Sequence, residues 1–208
     1  YTLDMFIDSE LKIYSELYLP IRHNLLSRGK KLAAIKKIYS HQQVLAQCRN
    51  WLEKNLPQAK LTAVGSTTAA ALIYAKKRTQ AAIASELAAE EYGLNILARS
   101  IEDSAHNITR FLIIGKHESE PTGDDKTSIV FSIKDRAGAL HDALVPFKRT
   151  RINLTKIESR PSKKKAWKYY FFVDMQGHVQ DKNIKRVLRE LEKKSSYFKF
   201  LGSYPAAR

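Results

Sequence analysis

A chain of 208 residues with 44% apolar and 27% charged side chains suits one large or two small soluble, globular domains and excludes a disordered polymer. Its longest apolar run, around Ala69–Ala75, falls far short of the roughly 18 residues that span a bilayer, and its single cysteine, Cys48, excludes an internal disulfide and a multi-cysteine metal site. The net charge of +15 is scattered, without the interleaved aromatics of a nucleic-acid face, which leaves a lysine-rich solvated surface or an anionic small molecule steered by positive potential.

The first elements alternate. Lys12–Leu19 reads as a strand and Ile38-Tyr39 ends another. Gln42–Asn55 follows as a helix, with Val44, Leu45, Cys48, Trp51, Leu52 and Leu56 at helical spacing. Leu61–Val64 is a strand, Thr68–Lys77 an alanine-rich helix and Ala81–Ala84 a strand. Glu86–Tyr92 is a helix closed by Gly93. Leu94–Ala98 and Phe111–Ile114 are further strands. This alternation implies a layered α/β fold. Residues 115–126, rich in Gly, Pro, Ser and charge, break the pattern. Beyond them Ser128–Ile133, Gly138–Lys148, Ile152–Glu158, Trp167–Met175, Lys182–Lys193 and Phe198–Leu201 spell β-α-β-β-α-β, the ferredoxin-like unit, with Lys163-Lys164-Lys165 in a hairpin loop. Helices on one face of such a sheet leave the other to be covered, and pairing with a second copy is one solution. The expected division is therefore residues 1–116, a linker over 117–126, and a second domain over 127–208.

Three strands of the first domain end in a hydroxyl residue that opens a helix: Ser40, Ser66-Thr67 and Ser85. Open α/β sheets bind ligands beyond the carboxyl ends of their strands, and a helix N-terminus offers unpaired N–H groups to an anion. Ordinary N-capping explains the same residues. Other chemistries find little support. No glycine-rich nucleotide loop is present, and no cofactor is expected. His23, His41, His106, His117, His141 and His178 lack metal-ligand spacing, so no metal is expected either. Asp103 and His106 lie one turn apart near Thr109, without a nucleophile pattern. Read this way, the chain is an anion-binding α/β domain followed by a ferredoxin-like sensor module.

Longer strings add a resemblance. Tyr39-Ser40-His41 followed by Gln47-Cys48 and Trp51-Leu52, then Ala81-Ala82-Ile83-Ala84-Ser85 through Tyr92-Gly93-Leu94, then Thr109-Arg110-Phe111, resemble the prephenate dehydratase family in order. Gly138-Ala139-Leu140 and Glu158-Ser159-Arg160-Pro161 resemble two motifs of its regulatory ACT domain. The likeness runs over nearly the whole chain. It implies a two-lobed, periplasmic-binding-protein-like catalytic domain, then a ferredoxin-like βαββαβ ACT domain. A glycine-containing strand and a Glu-Asn-Ser motif of the family precede the part that Thr2-Leu3-Asp4 resembles, so the first strands and one cleft wall are expected to be missing.

The resemblance also implies a reaction: decarboxylating dehydration of prephenate to phenylpyruvate, in phenylalanine biosynthesis. Aromatisation supplies the driving force, so orientation of two carboxylates and help for the departing hydroxide suffice. Thr109 is the expected catalytic residue, acting as proton donor or hydrogen-bond partner of the leaving hydroxyl. Ser40, Gln47, Ser66, Thr67 and Ser85 are expected to hold carboxylate oxygens and Phe111 to pack the cleft wall. Arg110 pairs either with a substrate carboxylate or in a structural salt bridge. Cys48 is expected as a buried apolar filler. For regulation, Gly138, Ala139, Leu140, Asn153, Leu154, Glu158, Ser159, Arg160 and Pro161 are expected to enclose L-phenylalanine between two subunits of a homodimer or homotetramer. Gly138 as a plain turn residue and Arg160 as a brace for Glu158 are the structural alternatives. A cytoplasmic enzyme, without nucleic-acid or membrane partners, is expected. Arogenate dehydratase and a non-catalytic amino-acid sensor are the competing readings.

Overall fold

The computed structural model describes residues 2–104, 107–162 and 169–207. The three-lysine loop, the start of the strand expected from Trp167, and His106 therefore lie outside the described residues. Two compact units form: one is Leu19–Thr109, the other joins Tyr1–Tyr18 to Arg110–Arg208. Division by compactness thus falls before the composition break over 117–126, because the first residues of the chain pack with its last hundred.

The chain opens with helix α1 (Thr2–Asp8) and strand β1 (Lys12–Pro20). It then builds the Leu19–Thr109 unit from β2 (Asn24–Ser27), β3 (Lys37–Ser40), α2 (Gln42–Gln47), α3 (Arg49–Asn55), β4 (Lys60–Ala63), α4 (Thr67–Ala69), β5 (Gln80–Ala84), α5 (Glu86–Tyr92) and β6 (Asn95–Ala98). The five strands form one sheet in the order β4-β3-β5-β2-β6. β3 runs parallel to β4 and β5, while β2 is antiparallel to β5 and β6. Alternate side chains feed two cores. Leu25, Ile38, Ala81 and Ile83 pack with Val44, Cys48, Leu52 and Leu56; Leu26, Tyr39, Ala82 and Ala84 pack with the alanines of the following helices. A strand covered on both faces reads as a continuous apolar run, as Ala81–Ala84 of β5 does.

Local signals set the helix ends. The Ser85 hydroxyl accepts from Ala88 N at 3.3 Å, and Gly93 closes α5 in the left-handed conformation, φ 61°. The helix expected over Gln42–Asn55 is two helices broken at Cys48, whose φ/ψ of −111°/13° leaves the helical region. The Asp103 carboxylate caps the second, accepting from Asn50 N and Trp51 N at 3.0 and 3.1 Å. The helix expected over Thr68–Lys77 is shorter: α4 passes into one wide π-type turn, Ala70–Tyr74. β2 has no counterpart in the sequence reading.

The second unit continues with β7 (Ile108–Gly115), β8 (Asp125–Ser132), α6 (Ala139–Thr150), β9 (Leu154–Pro161), β10 (Tyr169–Gln176), α7 (Lys182–Lys194) and β11 (Tyr197–Pro205). The chain passes between the units within β1 and near the start of β7, and these two strands pair. The other four strands form an antiparallel sheet in the order β11-β8-β10-β9, the ferredoxin-like arrangement expected from βαββαβ. Ile129, Phe131, Val173 and Met175 face α6 and α7.

The opposite face, for which the sequence offered pairing with a second copy as a solution, is covered within the chain: Phe6 of α1 and Ile13 of β1 pack on Val130, Phe172, Leu201 and Tyr204. Lys199 fastens that cover, its ammonium donating to the carbonyls of Phe6 and Ile7 at the end of α1. Gly202, at φ 144°, permits the close approach of β1, since a Cβ there would collide with the Ile13 carbonyl. Among the described residues no helix is long and apolar enough to cross a membrane.

Candidate active site

The sheet of the Leu19–Thr109 unit gathers polar groups at one edge. β3, β4 and β5 run in the same direction, so Ser40, Ser66 and Ser85 fall at or just beyond the same edge. β2 starts there, with Asn24 opposite Ala84, and β6 ends there, with Ala98 opposite Leu25. The edge therefore also carries His23, Asn24, Arg99 and Ser100, none of which the sequence reading singled out for the site. A cavity of about 340 Å³ opens there, lined in part by Arg22, Asn24, Ser85, Arg99 and Ser100. The positive lining is partly balanced, since Arg99 pairs with Glu86 at 2.6 Å and Arg22 with Glu102 at 3.0 Å.

The three serines differ in what their hydroxyls do. Ser40 is fully buried and donates to Ile83 O at 2.7 Å, tying β3 to β5. Ser66 and Ser85 are exposed and cap their helices, accepting from Ala69 N at 3.0 Å and Ala88 N at 3.3 Å. Thr67 is half-buried at the first position of α4. A cap can also meet a ligand, and kinetics separate the roles. Ser66→Ala and Ser85→Ala are each expected to cost about 1 kcal/mol of stability from the lost cap. If the same hydroxyls hold substrate, KM also rises by more than the stability change explains. Urea titration beside steady-state kinetics checks both; unchanged KM reduces these serines to caps.

Gln47 ends α2 with its amide in a polar cluster: Oε1 lies 2.9 Å from His23 Nε2, and Nε2 donates to Asn107 Oδ1 at 3.4 Å. Asn107 stands two residues before Thr109. Thr109 is exposed on β7, and its hydroxyl has no hydrogen-bond partner among the described residues. Cys48, beside Gln47, is fully buried; burial, with Asp103 and Glu102 nearby, pushes its thiol up to about 12. It is a neutral filler with no nucleophilic character.

Arg110 and Phe111 belong to the other unit. Of the two readings of Arg110, the ion pair is the arrangement found. Its Nε donates to Glu16 at 2.6 Å, Nη1 to Asp174 at 2.5 Å and Nη2 to the Tyr204 hydroxyl at 2.7 Å. Lys126 also donates to Glu16, at 2.7 Å, and Ser128 joins Asp174 to Tyr204. Burial alone would raise the Glu16 carboxyl; the Lys126 hydrogen bond and the Arg110 charge outweigh it and hold the group below its ordinary range. Phe111 remains 45% exposed.

The expected effector residues lie on the ferredoxin-like part. Gly138 precedes α6 in the left-handed conformation, φ 76°, which a turn glycine accommodates without strain. A cavity of about 320 Å³ beside it is lined by Ile133, Lys134, Arg136, Ala139, Asp142 and Lys194, among others. Leu140 and Leu154 are half-buried against the helix-covered core, and Asn153 is exposed. Arg160 pairs with Glu158 at 2.8 Å and with Asp4 at 3.3 Å, so it braces Glu158 in the way the structural alternative anticipated. Ser159 and Pro161 are exposed on the same strand.

Comparison with known proteins agrees with this anatomy. The family model described as prephenate dehydratase matches residues 1–119, and that of the ACT domain matches residues 127–193. A bifunctional chorismate mutase/prephenate dehydratase of Aquifex aeolicus is 53% identical over 207 residues, covering 100% of this chain and 57% of the relative. A prephenate dehydratase of Methanocaldococcus jannaschii is 42% identical over 98% of this chain and 75% of its own length. Among solved structures, prephenate dehydratase from Arthrobacter aurescens in complex with L-Phe superposes with a TM-score of 0.89 at 37% identity, covering 99% of this chain and 70% of that one. The chain thus spans little more than half the length of its bifunctional relatives. With both family models matched in order along the chain, and with its ferredoxin-like sheet in the expected strand order, the chain belongs to the prephenate dehydratase family and carries that family's ACT domain.

Proposed function

We propose that the protein to which this chain belongs converts prephenate to phenylpyruvate and is inhibited by phenylalanine through its ACT domain. The observation that carries the reading is Thr109, in the Thr-Arg-Phe motif, exposed at the end of the Leu19–Thr109 unit with its hydroxyl bonded to no partner among the described residues. In the reaction the bond from the ring to its carboxylate breaks, carbon dioxide departs, and the electron pair moves into the ring and expels the hydroxyl on the opposite carbon. That hydroxyl leaves as water once it takes a proton. Thr109 supplies or relays the proton, regaining it from solvent, and its contribution rests on placement because a threonine is a weak acid. Gln47, Ser66, Thr67 and Ser85 orient carboxylate oxygens. Ser40 donates inward to Ile83 O, so its part in the site is to hold the ends of β3 and β5 together. Arg110 anchors β7 through its own carboxylate partners and Phe111 provides apolar surface. The reading calls for no cofactor.

Assay of the full-length protein with prephenate and arogenate side by side tests this. Phenylpyruvate from prephenate supports the reading; turnover of arogenate alone makes it an arogenate dehydratase. Turnover of neither leaves an amino-acid sensor. A cytoplasmic location accords with the proposal.

Regulation follows the same logic. Phenylalanine is proposed to lie between two subunits of a homodimer or homotetramer, with Gly138, Ala139 and Leu140 of one facing Glu158 to Pro161 of the other, and Asn153 and Leu154 nearby. A ligand that inhibits must bind one arrangement of the catalytic domains better than another. Gly138→Val puts a β-branched side chain at positive φ and strains the turn by about 1–3 kcal/mol. Calorimetry is expected to show phenylalanine binding to the wild type and none to this variant. Equal heats from the two, or no heat from either, would remove the effector role.

A further inference from the structure

At the edge of the Leu19–Thr109 sheet three side chains close a ring. His23 Nε2 lies 2.9 Å from Gln47 Oε1, Gln47 Nε2 donates to Asn107 Oδ1 at 3.4 Å, and Asn107 Nδ2 lies 3.3 Å from His23 Nε2. His23 comes from the turn before β2 and is 6% exposed; Gln47 ends α2; Asn107 leads into β7. Backbone bonds pin each member. His23 N donates to Glu102 Oε2 at 2.9 Å and its carbonyl accepts from Ile101 N at 2.8 Å. The Gln47 carbonyl accepts from Asp103 N at 2.7 Å, and the Asn107 carbonyl from Ile21 N at 2.8 Å. Three residues distant in sequence are thus held at one point by main-chain bonds that do not depend on the ring.

A carboxamide presents an acceptor on one side and two donors on the other, related by a half-turn about a soft torsion. A glutamine free to flip would offer a carboxylate its oxygen as readily as its nitrogen, and oxygen repels. The ring removes that freedom. With the proton on Nε2, His23 donates to Gln47 Oε1 across the nearer contact, and Nε2 has no lone pair left for Asn107 Nδ2. That amide instead donates to Ile21 O, also at 3.3 Å. With Oε1 held by the imidazole, the Gln47 nitrogen points to Asn107, and its second hydrogen has no partner among the described residues.

We infer that His23 and Asn107 are positioning residues that fix the polarity of the Gln47 amide, so that it meets a substrate carboxylate with N–H and not with C=O. Asn107 does so two residues before Thr109, which ties the orientation of the binding amide to the entry of the strand that bears the threonine. The inference rests on the dehydratase reading and deepens it.

Two measurements on the full-length protein test it. Nitrogen-15 NMR with labelled histidine is expected to find the neutral His23 ring protonated on Nε2; a ring protonated on Nδ1 overturns the inference whether or not the protein turns over prephenate. In a double-mutant cycle, His23→Leu and Gln47→Ala are each expected to lower kcat/KM by about 10–100-fold, mainly through KM. The double variant should be no worse than Gln47→Ala alone, and His23→Gln, which restores an N–H donor, should recover most of the loss. Additive losses, or a normal KM for His23→Leu, overturn the inference. If His23→Leu does not fold, Asn107→Ala takes its place in the cycle under the same criterion. Wild-type turnover of prephenate serves as control: no phenylpyruvate there defeats the dehydratase reading, while the tautomer measurement still decides the ring.

Discussion

On the proposed function, Thr109→Ala is expected to lower kcat of the full-length protein by about 10²–10⁴-fold, the range for losing a positioned proton donor. KM should change far less, because the proposed site assigns the carboxylates to other groups. Stability should hardly move. Thr109 is an exposed strand residue whose hydroxyl bonds to no described residue, and such surface substitutions usually stay within about 0.5 kcal/mol. A loss of turnover without a loss of fold therefore points to chemistry at the hydroxyl. Thr109→Ser keeps the hydroxyl and should retain much of the rate. Steady-state kinetics beside a thermal melt checks all three statements, and near-normal kcat for Thr109→Ala would take the residue out of the mechanism.

Glu16→Ala is expected to produce the largest loss of stability, about 3–5 kcal/mol, the cost of breaking a buried ion pair by removing one partner. The Glu16 side chain is fully buried and accepts from Arg110, from Lys126 and from Ala207 N. Its removal leaves Arg110 with the Asp174 carboxylate and Lys126 with the Tyr18 hydroxyl as partners. Glu16→Gln keeps the volume and one acceptor and should lose less. The pH dependence has a definite sign. The folded-state carboxyl titrates below its ordinary value of 4.5, so its stabilisation is complete above about pH 4.5 and fades as pH falls through the depressed value. Urea titrations near neutral pH and at about pH 4 should show the wild type losing stability with acid along a steeper course than Glu16→Ala. Equal slopes would mean that Glu16 is not held ionised by its neighbours.

How much of this was legible beforehand depends on the range of each interaction. The strands ending at Ser40 and Ala84, the helix from Glu86 to Tyr92 with its Ser85 cap and Gly93 stop, and the βαββαβ order of the second half all rest on contacts within a few residues. A reader of the string has those contacts in view. α1 and β2 were not legible, and both gain their stability from surfaces supplied elsewhere. The cover over the second face of the ferredoxin-like sheet escaped for the same reason, since Phe6 and Ile13 meet Phe172 and Tyr204 from the far end of the chain.

The candidate site divides along the same line. The family's motifs located Thr109 and Gln47, the strand-to-helix pattern located the three serine junctions, and parallel pairing of β3 with β4 and β5 brings those junctions to one edge. The direction in which each side chain points was not available from the string. Ser40 donates inward, and His23 and Asn107 reach Gln47 from 24 and 60 positions away.

The sequence by itself determined the family, the βαββαβ order of the second half, the Ser66 and Ser85 caps and the motif that holds the threonine, because these depend on local pattern and on residue identity in a fixed order. Only the tertiary structure decided that Arg110 is committed to Glu16, Asp174 and Tyr204, at separations of 94, 64 and 94 residues. A guanidinium is equally suited to a ligand's carboxylate and to the chain's own. Which one it meets is set by the long-range packing that brings those two acidic side chains and the Tyr204 hydroxyl against it and buries them together.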